Sequence, residues 1–233
     1  MRNPLSILQA GSALVRLTQD MSRLDEVFRL SDGLADAESI REMVEHNRAH
    51  ETGAKALAER PHVHLDLKVL RALPTGTLGR EYALMMDRNG LDPASIPTLP
   101  DDDEGKYVRA HLYETHDLWH VATGFSTDVP GELGLQAFYQ AQLPGKLPAA
   151  ILAAGFVNTL IYSFGDRDAR LREIARGWLL GRRSRPLFGV RWDDYLALPL
   201  DEVRARLGID VAGVDAALPL PAPAPVHPVR AAA

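Results

Sequence analysis

Cysteine is absent from the 233-residue sequence. The chain therefore has no disulfide, no thiolate metal site and no cysteine nucleophile, and this composition fits a reducing compartment. An excess of positive charge is absent too, since 26 lysine and arginine residues stand against 31 acidic ones, giving a net charge of −5. Proteins that hold nucleic acid through phosphate contacts normally carry a basic stripe, so we expect no nucleic-acid partner.

Strand patterns and internal repeats are also missing. No stretch alternates apolar and polar residues for long enough to build a sheet, whereas apolar residues recur at helical spacing. The predicted helices include 78–89, which follows Thr77 and ends before Gly90, and also 133–143 and 192–198. We predict an all-α protein with a single helical domain over residues 1–215, long enough to bury one sizeable core. The tail, residues 216–233, is dominated by proline and alanine and is predicted to be disordered.

One stretch, residues 147–165, contains no charged residue. Its length approaches the roughly 20 residues that span a bilayer. Asn158, Thr159, Ser163 and a large share of alanine argue against a membrane span. We predict instead a buried apolar helix at the centre of a bundle, or a helix that lines an apolar groove.

The residues best suited to bind a metal form the pattern HDxxH, eleven residues, E, which comprises His116, Asp117, His120 and Glu132. On a helix, His116 and His120 lie one turn apart on the same face, and Asp117 lies about 60° round from His120. The glycine and proline residues before Glu132 would break that helix, so Glu132 must come from another element. Imidazole and carboxylate ligands suit Zn²⁺, and also Fe²⁺, Mn²⁺ or, less well, Mg²⁺. We predict a divalent metal site on the central helix pair.

Other histidine pairs are weaker candidates, because such spacings also arise by chance. His46 and His50 share the i, i+4 spacing, but charged neighbours indicate a solvated helix face. His62 and His64 lie in a short extended segment or loop. We predict structural or surface roles for all four.

Two runs of like charge allow both a binding and a structural interpretation. The acidic run 101–104 could bind a cation, but we favour a helix N-terminus stabilised by the helix dipole. A basic cluster could attract phosphates or an anionic membrane surface, or could equally complement a helix C-terminus. Its members are Arg176, Arg182, Arg183 and Arg185.

Several longer motifs resemble those of the coenzyme Q biosynthesis protein 4 family, which acts in ubiquinone synthesis. The resemblance covers most of residues 55–209 and includes HDxxH with its flanking residues. The motifs are ERP (59–61), LPTGTLGREYALMM (73–86), YETHDLWHVATG (113–124), ELGLQAFYQAQ (132–142) and GVRWDDYLALPLDEVRARLGI (189–209). In the last of these, Asp193 and Asp194 follow the tryptophan where the family leads us to expect a glutamate, a conservative departure.

This resemblance implies a helical protein whose metal ligands, usually taken to bind zinc, are His116, Asp117, His120 and Glu132. It implies oxidative decarboxylation at ring carbon C1 of a polyprenyl-hydroxybenzoate precursor, with hydroxyl replacing carboxylate. The implied partners are this polyprenylated precursor, a membrane surface and other ubiquinone-biosynthesis enzymes, and a homodimer is one conceivable assembly. Mitochondrial members carry an import presequence and this chain shows none. We therefore expect a bacterial protein, peripheral at the cytoplasmic face of the inner membrane or otherwise cytoplasmic.

Two other functions remain open at this point. A metal-dependent phosphohydrolase of the HD type would use His116 and Asp117 as its central pair, but no clear upstream histidine and downstream aspartate complete its site. A non-catalytic scaffold would bind a polyprenyl lipid and organise the biosynthetic complex around a structural metal. The sequence predicts no organic cofactor and assigns no catalytic residue beyond the metal ligands.

Overall fold

The computed structural model describes residues 4–95 and 98–218, without the side chains of residues 4–7 and 95. Within these ranges the chain forms twelve α-helices and no β-strand, so the all-α prediction is confirmed. The helices are α1 (Pro4–Gln19), α2 (Leu24–Leu34), α3 (Ala37–Arg48), α4 (Glu51–Glu59), α5 (Leu67–Arg71), α6 (Leu78–Asn89), α7 (Glu104–Thr123), α8 (Val129–Gln142), α9 (Lys146–Tyr162), α10 (Arg167–Arg183), α11 (Leu200–Leu207) and α12 (Val211–Ala217).

The buried side chains form two adjoining clusters. The larger one is built around α6, α7, α8 and α10 and includes Trp119, Phe138 and Tyr82, all fully buried. The smaller one joins α1, α2 and α9, and Leu133 of α8 belongs to it. Helix α8 therefore connects the two clusters.

Helices α8 and α10 approach closely because their contact surface carries glycine. A Cβ atom on Gly177 of α10 would overlap the backbone carbonyl of Gly134 of α8. A Cβ on Gly181 would lie 2.8 Å from the carbonyl oxygen of Phe138, which is closer than Cβ atoms come to atoms they are not bonded to. This backbone contact fixes the position of α8.

Helix α8 begins earlier than the sequence led us to expect, at Val129 rather than Leu133. Pro130 and Gly131 were expected to lie outside it, but they occupy its first turn, where proline is tolerated because no intrahelical N–H bond is required. Asp128 caps this end by accepting a 2.9 Å hydrogen bond from the backbone N–H of Gly131. Glu132 therefore lies in the first turn, where the helix dipole favours a negative charge.

Helix α9 is the apolar helix that we predicted to be buried, and burial holds for one face only. Ile151 and Ala154 are buried, whereas Leu160 is 69% exposed and Ile161 is 60% exposed. The expectation of burial on all sides was wrong because α9 packs mainly against α1, α2 and α8, and the opposite face of the helix is left exposed.

The alternative prediction, a helix beside an apolar groove, describes the C-terminal half of α9. There a groove of about 190 Å³ is lined mainly by apolar side chains of α9 and α10. In the described part of the chain, no single helix has the length and hydropathy needed to cross a membrane. Residues 146–162 and 164–183 reach that threshold only together, and they are bent by 118° at their junction.

Other boundaries are confirmed to different degrees. Helix α6 has the predicted bounds. Helices α2 and α5 were not predicted, and the predicted helix 192–198 is only a 3-10 turn, Trp192–Asp194. Helix α12 runs two residues past the predicted domain boundary at residue 215. The remainder of the predicted disordered tail, residues 219–233, lies outside the described residues.

Candidate metal centre

Helix α7 presents three of the four predicted metal ligands on one arc. His116, Asp117 and His120 each offer a nitrogen or oxygen atom, and these three atoms all lie within 4.8 Å of one another. The helix is fixed at both ends. Asp103 accepts a hydrogen bond from the N–H of Lys106 at its start, and Gly124, with a φ of 72°, ends it. This group of residues could hold a metal ion.

Glu132 brings the fourth carboxylate from α8. Its Oε2 atom lies 3.2 Å from Nε2 of His120 and 3.7 Å from Nε2 of His116. The two imidazoles therefore lie close to Glu132 of the next helix as well as to Asp117 of their own. The fold brings together the residues that the sequence pattern grouped.

Two hydrogen bonds orient the ligands. Nδ1 of His120, which is buried, lies 3.2 Å from the carbonyl oxygen of Phe125. A carbonyl can only accept, so Nδ1 donates this hydrogen bond and Nε2 is the ring nitrogen that faces Glu132. On α8, Nε2 of Gln136 donates a 2.7 Å hydrogen bond to Oε1 of Glu132, which leaves Oε2 towards the imidazoles. Partners of this kind commonly orient metal ligands.

The electrostatics of the cluster favour a cation. Burial disfavours the charge on Glu132, but the imidazoles of His116 and His120 outweigh burial and hold the pKa of Glu132 well below its usual value. Burial also opposes the charged form of His116, yet the carboxylates of Glu132 and Asp117 raise the pKa of His116. Partly buried carboxylates of this kind require compensating positive charge.

Aromatic side chains wall the cluster. The ring of Tyr139 stacks on His116 with centroids 5.8 Å apart, and on Trp119 at 4.3 Å. The sequence analysis did not single out Gln136 or Tyr139. Helical spacing could have indicated both, because they follow Glu132 by four and seven residues on α8 and so share its face.

Three of the weaker histidine candidates, His46, His62 and His64, have hydrogen-bond partners within the protein, and His46 is half-buried where the sequence led us to expect a solvated helix face. Nε2 of His46 lies 2.9 Å from the carbonyl oxygen of Gln142. His62 lies between two carboxylates, with Nδ1 3.0 Å from Glu114 and Nε2 2.9 Å from Asp101. His64 is likewise paired, with Asp193 at 3.2 Å.

The two charged runs also have structural roles. The acidic run 101–104 contains the N-cap of α7, Asp103, as favoured above. In the basic cluster, Arg176 is buried and bonds to Asp215 and to the carbonyl oxygen of Thr123. Arg182, Arg183 and Arg185 remain exposed near the end of α10.

Comparison with known proteins identifies the family of this chain. Residues 4–212 match the family model described as "Coenzyme Q (ubiquinone) biosynthesis protein Coq4". The chain belongs to this family. It is therefore a ubiquinone biosynthesis protein, and the resemblance found in the sequence motifs is confirmed.

Two curated Coq4 relatives illustrate the match. The chain is 32% identical over 211 residues to the mitochondrial ubiquinone biosynthesis protein coq4 of Talaromyces stipitatus, covering 88% of this chain and 71% of the relative. It is 32% identical over 198 residues to the mitochondrial COQ4 protein of Yarrowia lipolytica, covering 82% and 74%.

A solved structure agrees in fold. The crystal structure of a protein of Nostoc punctiforme, named as a candidate ubiquinone biosynthesis protein, superposes with a TM-score of 0.77 at 29% identity. The match covers 87% of this chain and 97% of that one. The helical Coq4 fold therefore extends over nearly the whole of the solved relative.

Proposed function

We propose that this protein performs the oxidative decarboxylation at C1 of a polyprenyl-hydroxybenzoate precursor in ubiquinone biosynthesis, with hydroxyl replacing carboxylate. The observation that carries the proposal is the meeting of His116, His120 and Glu132 from two helices, with Asp117 beside them. Family membership supports the pathway. The substrate and the position attacked come from the resemblance described above.

The residues present fit a divalent ion. Two imidazole nitrogens, which are borderline donors, and two carboxylates, which are hard donors, suit zinc, iron or manganese, and magnesium less well. The bond from Nδ1 of His120 to a carbonyl fixes the ring with Nε2 towards Glu132, where a metal would replace the proton between them, and Gln136 holds Glu132. When bound, such an ion would supply a positive charge that holds and polarises an aromatic carboxylate.

The overall reaction requires an electron acceptor. The bond between C1 and the carboxylate carbon breaks to release CO₂, and a bond from C1 to hydroxyl oxygen forms. If water supplies that oxygen, one proton and two electrons leave, and they pass to an acceptor such as dioxygen or a flavin. Zinc has no redox chemistry, so it would leave this task to the acceptor, whereas iron could share it.

The protein contributes the orientation of the substrate. On helix α8, Glu132 belongs to the ligand cluster, and the next residue, Leu133, packs against Gly155 of α9. The groove between α9 and α10 offers apolar surface to a polyprenyl tail. Binding energy from such a remote tail can hold the ring at the cluster, which lowers the barrier by fixing its position.

The same apolar surface supports peripheral attachment to the membrane that dissolves the substrate. Leu160, Ile161 and Phe164 are each more than half exposed near the bend after α9. Buried in the lipid interface, they would place the groove where the precursor resides. In a bacterial cell this surface would be the cytoplasmic face of the inner membrane, where other ubiquinone-biosynthesis enzymes could also dock.

The test uses cells that lack this protein. Deletion cells carrying Glu132→Gln should make folded protein but no ubiquinone. A ring precursor that already bears hydroxyl in place of the C1 carboxylate should restore ubiquinone in these cells. Continued failure, with the precursor demonstrably taken up and prenylated, would contradict the proposal and would favour an organising scaffold.

A further inference from the structure

Two tyrosine hydroxyl groups are buried without a hydrogen-bond partner among the described residues. They belong to Tyr82 on α6, which is fully buried, and to Tyr139 on α8, which is 6% exposed. Buried hydroxyl groups nearly always have a partner. Tyr107 shows the usual arrangement, since it is also fully buried and donates a 2.9 Å hydrogen bond to the carbonyl oxygen of Pro61.

Both unpartnered phenols lie on helices next to the one that carries the metal-ligand cluster. Helices α6 and α8 each pack on α7, which carries the cluster. The ring of Tyr139 stacks on His116. Burial raises the pKa of Tyr82, and the nearby charge of Asp117 raises it further. Burial also raises the pKa of Tyr139, and the negative charges of Glu132 and Asp117 raise it further.

These two phenols have the chemistry of hydrogen-bond donors. A phenol has an ordinary pKa of about 10, so each is protonated at neutral pH and offers an O–H group. A buried donor without a protein acceptor matches a ligand that brings an acceptor of its own. At a cluster suited to a cation, the acceptor expected is an anionic oxygen, because hydrogen bonds to charged groups are the stronger ones.

We propose that Tyr82 and Tyr139 bind substrate directly, by donating hydrogen bonds to the carboxylate of an aromatic acid held at the cluster. This inference rests on the proposed function and adds to it the residues that recognise the leaving group. The phenols would distinguish the acid from a ring that lacks the carboxylate. The site would thereby favour substrate over decarboxylated product.

Thermal unfolding separates this role from a structural one. Tyr82→Phe and Tyr139→Phe each remove a hydroxyl group that has no partner in the protein, so their melting temperatures should equal or exceed that of the wild type. Tyr107→Phe is the matched control. It removes a hydroxyl group that is satisfied by Pro61, so its melting temperature should fall.

Calorimetric titration of the zinc-loaded, full-length protein measures recognition. The probes are 3-geranyl-4-hydroxybenzoate and 2-geranylphenol, which lacks the carboxylate. Each of Tyr82→Phe and Tyr139→Phe should weaken binding of the acid about tenfold, as expected for loss of a hydrogen bond to a charged group. Neither should change binding of the phenol by more than about twofold, because that probe presents no carboxylate.

The outcomes distinguish this inference from the proposed function. If both variants bind the acid as tightly as the wild type does, the inference is overturned while the proposed function stands. If the wild type binds the acid no more tightly than the phenol, the proposed substrate is wrong and the inference falls with it. A lower melting temperature with equal weakening of both probes would assign the two tyrosines a structural role and also overturn it.

Discussion

Gln136 donates a 2.7 Å hydrogen bond to Oε1 of Glu132, one helical turn before it on α8. The bond fixes one carboxylate oxygen within the protein and turns the other towards His116 and His120. Gln136 is itself buried, so water does not readily replace it. Glu132 is thus oriented in advance, and less side-chain freedom is lost when a metal binds.

Replacing Gln136 should therefore weaken metal binding. We expect Gln136→Leu to bind zinc about 10- to 100-fold more weakly than the wild type, the usual effect of losing a group that orients a ligand. Competition with a chromogenic chelator measures the affinity. Gln140→Leu, one turn further along α8, is the control and should bind zinc normally. Equal affinities for all three proteins would contradict the orienting role.

The metal centre itself predicts a change in stoichiometry. The double variant His116→Ala/His120→Ala removes both imidazoles of the proposed metal site. It should therefore retain little metal when isolated. His46→Ala/His50→Ala removes a pair with the same spacing and is the matched control; its metal content should not change. Elemental analysis of the purified proteins decides the matter. Unchanged metal in the first variant would remove the basis for the centre.

The sequence predicted the ligands of this centre but not the residues around them. Ligand identity is local information, because a helical repeat places His116, Asp117 and His120 on one arc. Tyr82 comes from α6 and meets α7 only after the chain has folded, so spacing alone carries no sign of it. Gln136 shares a helix with Glu132 but resembles any polar residue on a helix surface.

The fold was predictable to a similar extent. Thr77 precedes helix α6 and Gly90 follows it, and the bounds of α6 were predicted from these two residues, although the hydroxyl group of Thr77 donates to the carbonyl oxygen of Pro74 and does not cap the helix. The start of α8 was misplaced because Pro130 and Gly131 favour both a loop and a first helical turn. The exposure of α9 depends on which helices lie beside it, a property of the assembled bundle that composition does not encode.

His62 predicts a pH dependence of stability. Its hydrogen bond to Glu114, and to a smaller extent to Asp101, raises the pKa of His62 above 6.5 despite partial burial. This contribution is fully present below pH 6.5 and is lost as the pH rises through the raised pKa. Because the side chain is 45% exposed, the loss should not exceed about 1 kcal/mol.

Urea unfolding on either side of that transition measures the effect. Between pH 6 and pH 8, His62→Gln should lose less stability than the wild type, because one source of the pH dependence is gone. His64→Gln is the control, since the side chain of His64 is 86% exposed and its removal should leave the wild-type profile. Parallel profiles for the wild type and His62→Gln would show that the His62–Glu114 pair does not stabilise the fold.

The exposed face of α9 predicts reversible lipid binding. Leu160→Asp/Ile161→Asp should reduce binding to phosphatidylethanolamine–phosphatidylglycerol vesicles at least about tenfold, since each side chain loses apolar burial in the interface. Vesicle co-sedimentation measures the binding. The protein should also leave membranes in an alkaline carbonate wash, because the 118° bend separates α9 from α10.

Val69→Asp is the control for this face. Val69 is 58% exposed on α5, away from the groove, so its replacement tests whether any added acid repels the vesicles. Equal losses for the two variants would show a general charge effect. Retention of the wild type after the carbonate wash would instead indicate insertion across the bilayer.

The eleven residues between His120 and Glu132 consist of three that complete α7, five in the loop 124–128, and three that begin α8. Gly124 and Asp128 fix the two ends of this loop. One extra residue at the start of α8 would swing the carboxylate about 100° away from the imidazoles. The spacing of eleven residues is thus set by the loop between α7 and α8. A metal ion requires only that the ligands meet in space, not that they are separated by this number of residues. A chain that joined the same two helices by another route could carry the same ligands at a different interval, and a search for this motif by its spacing would overlook it.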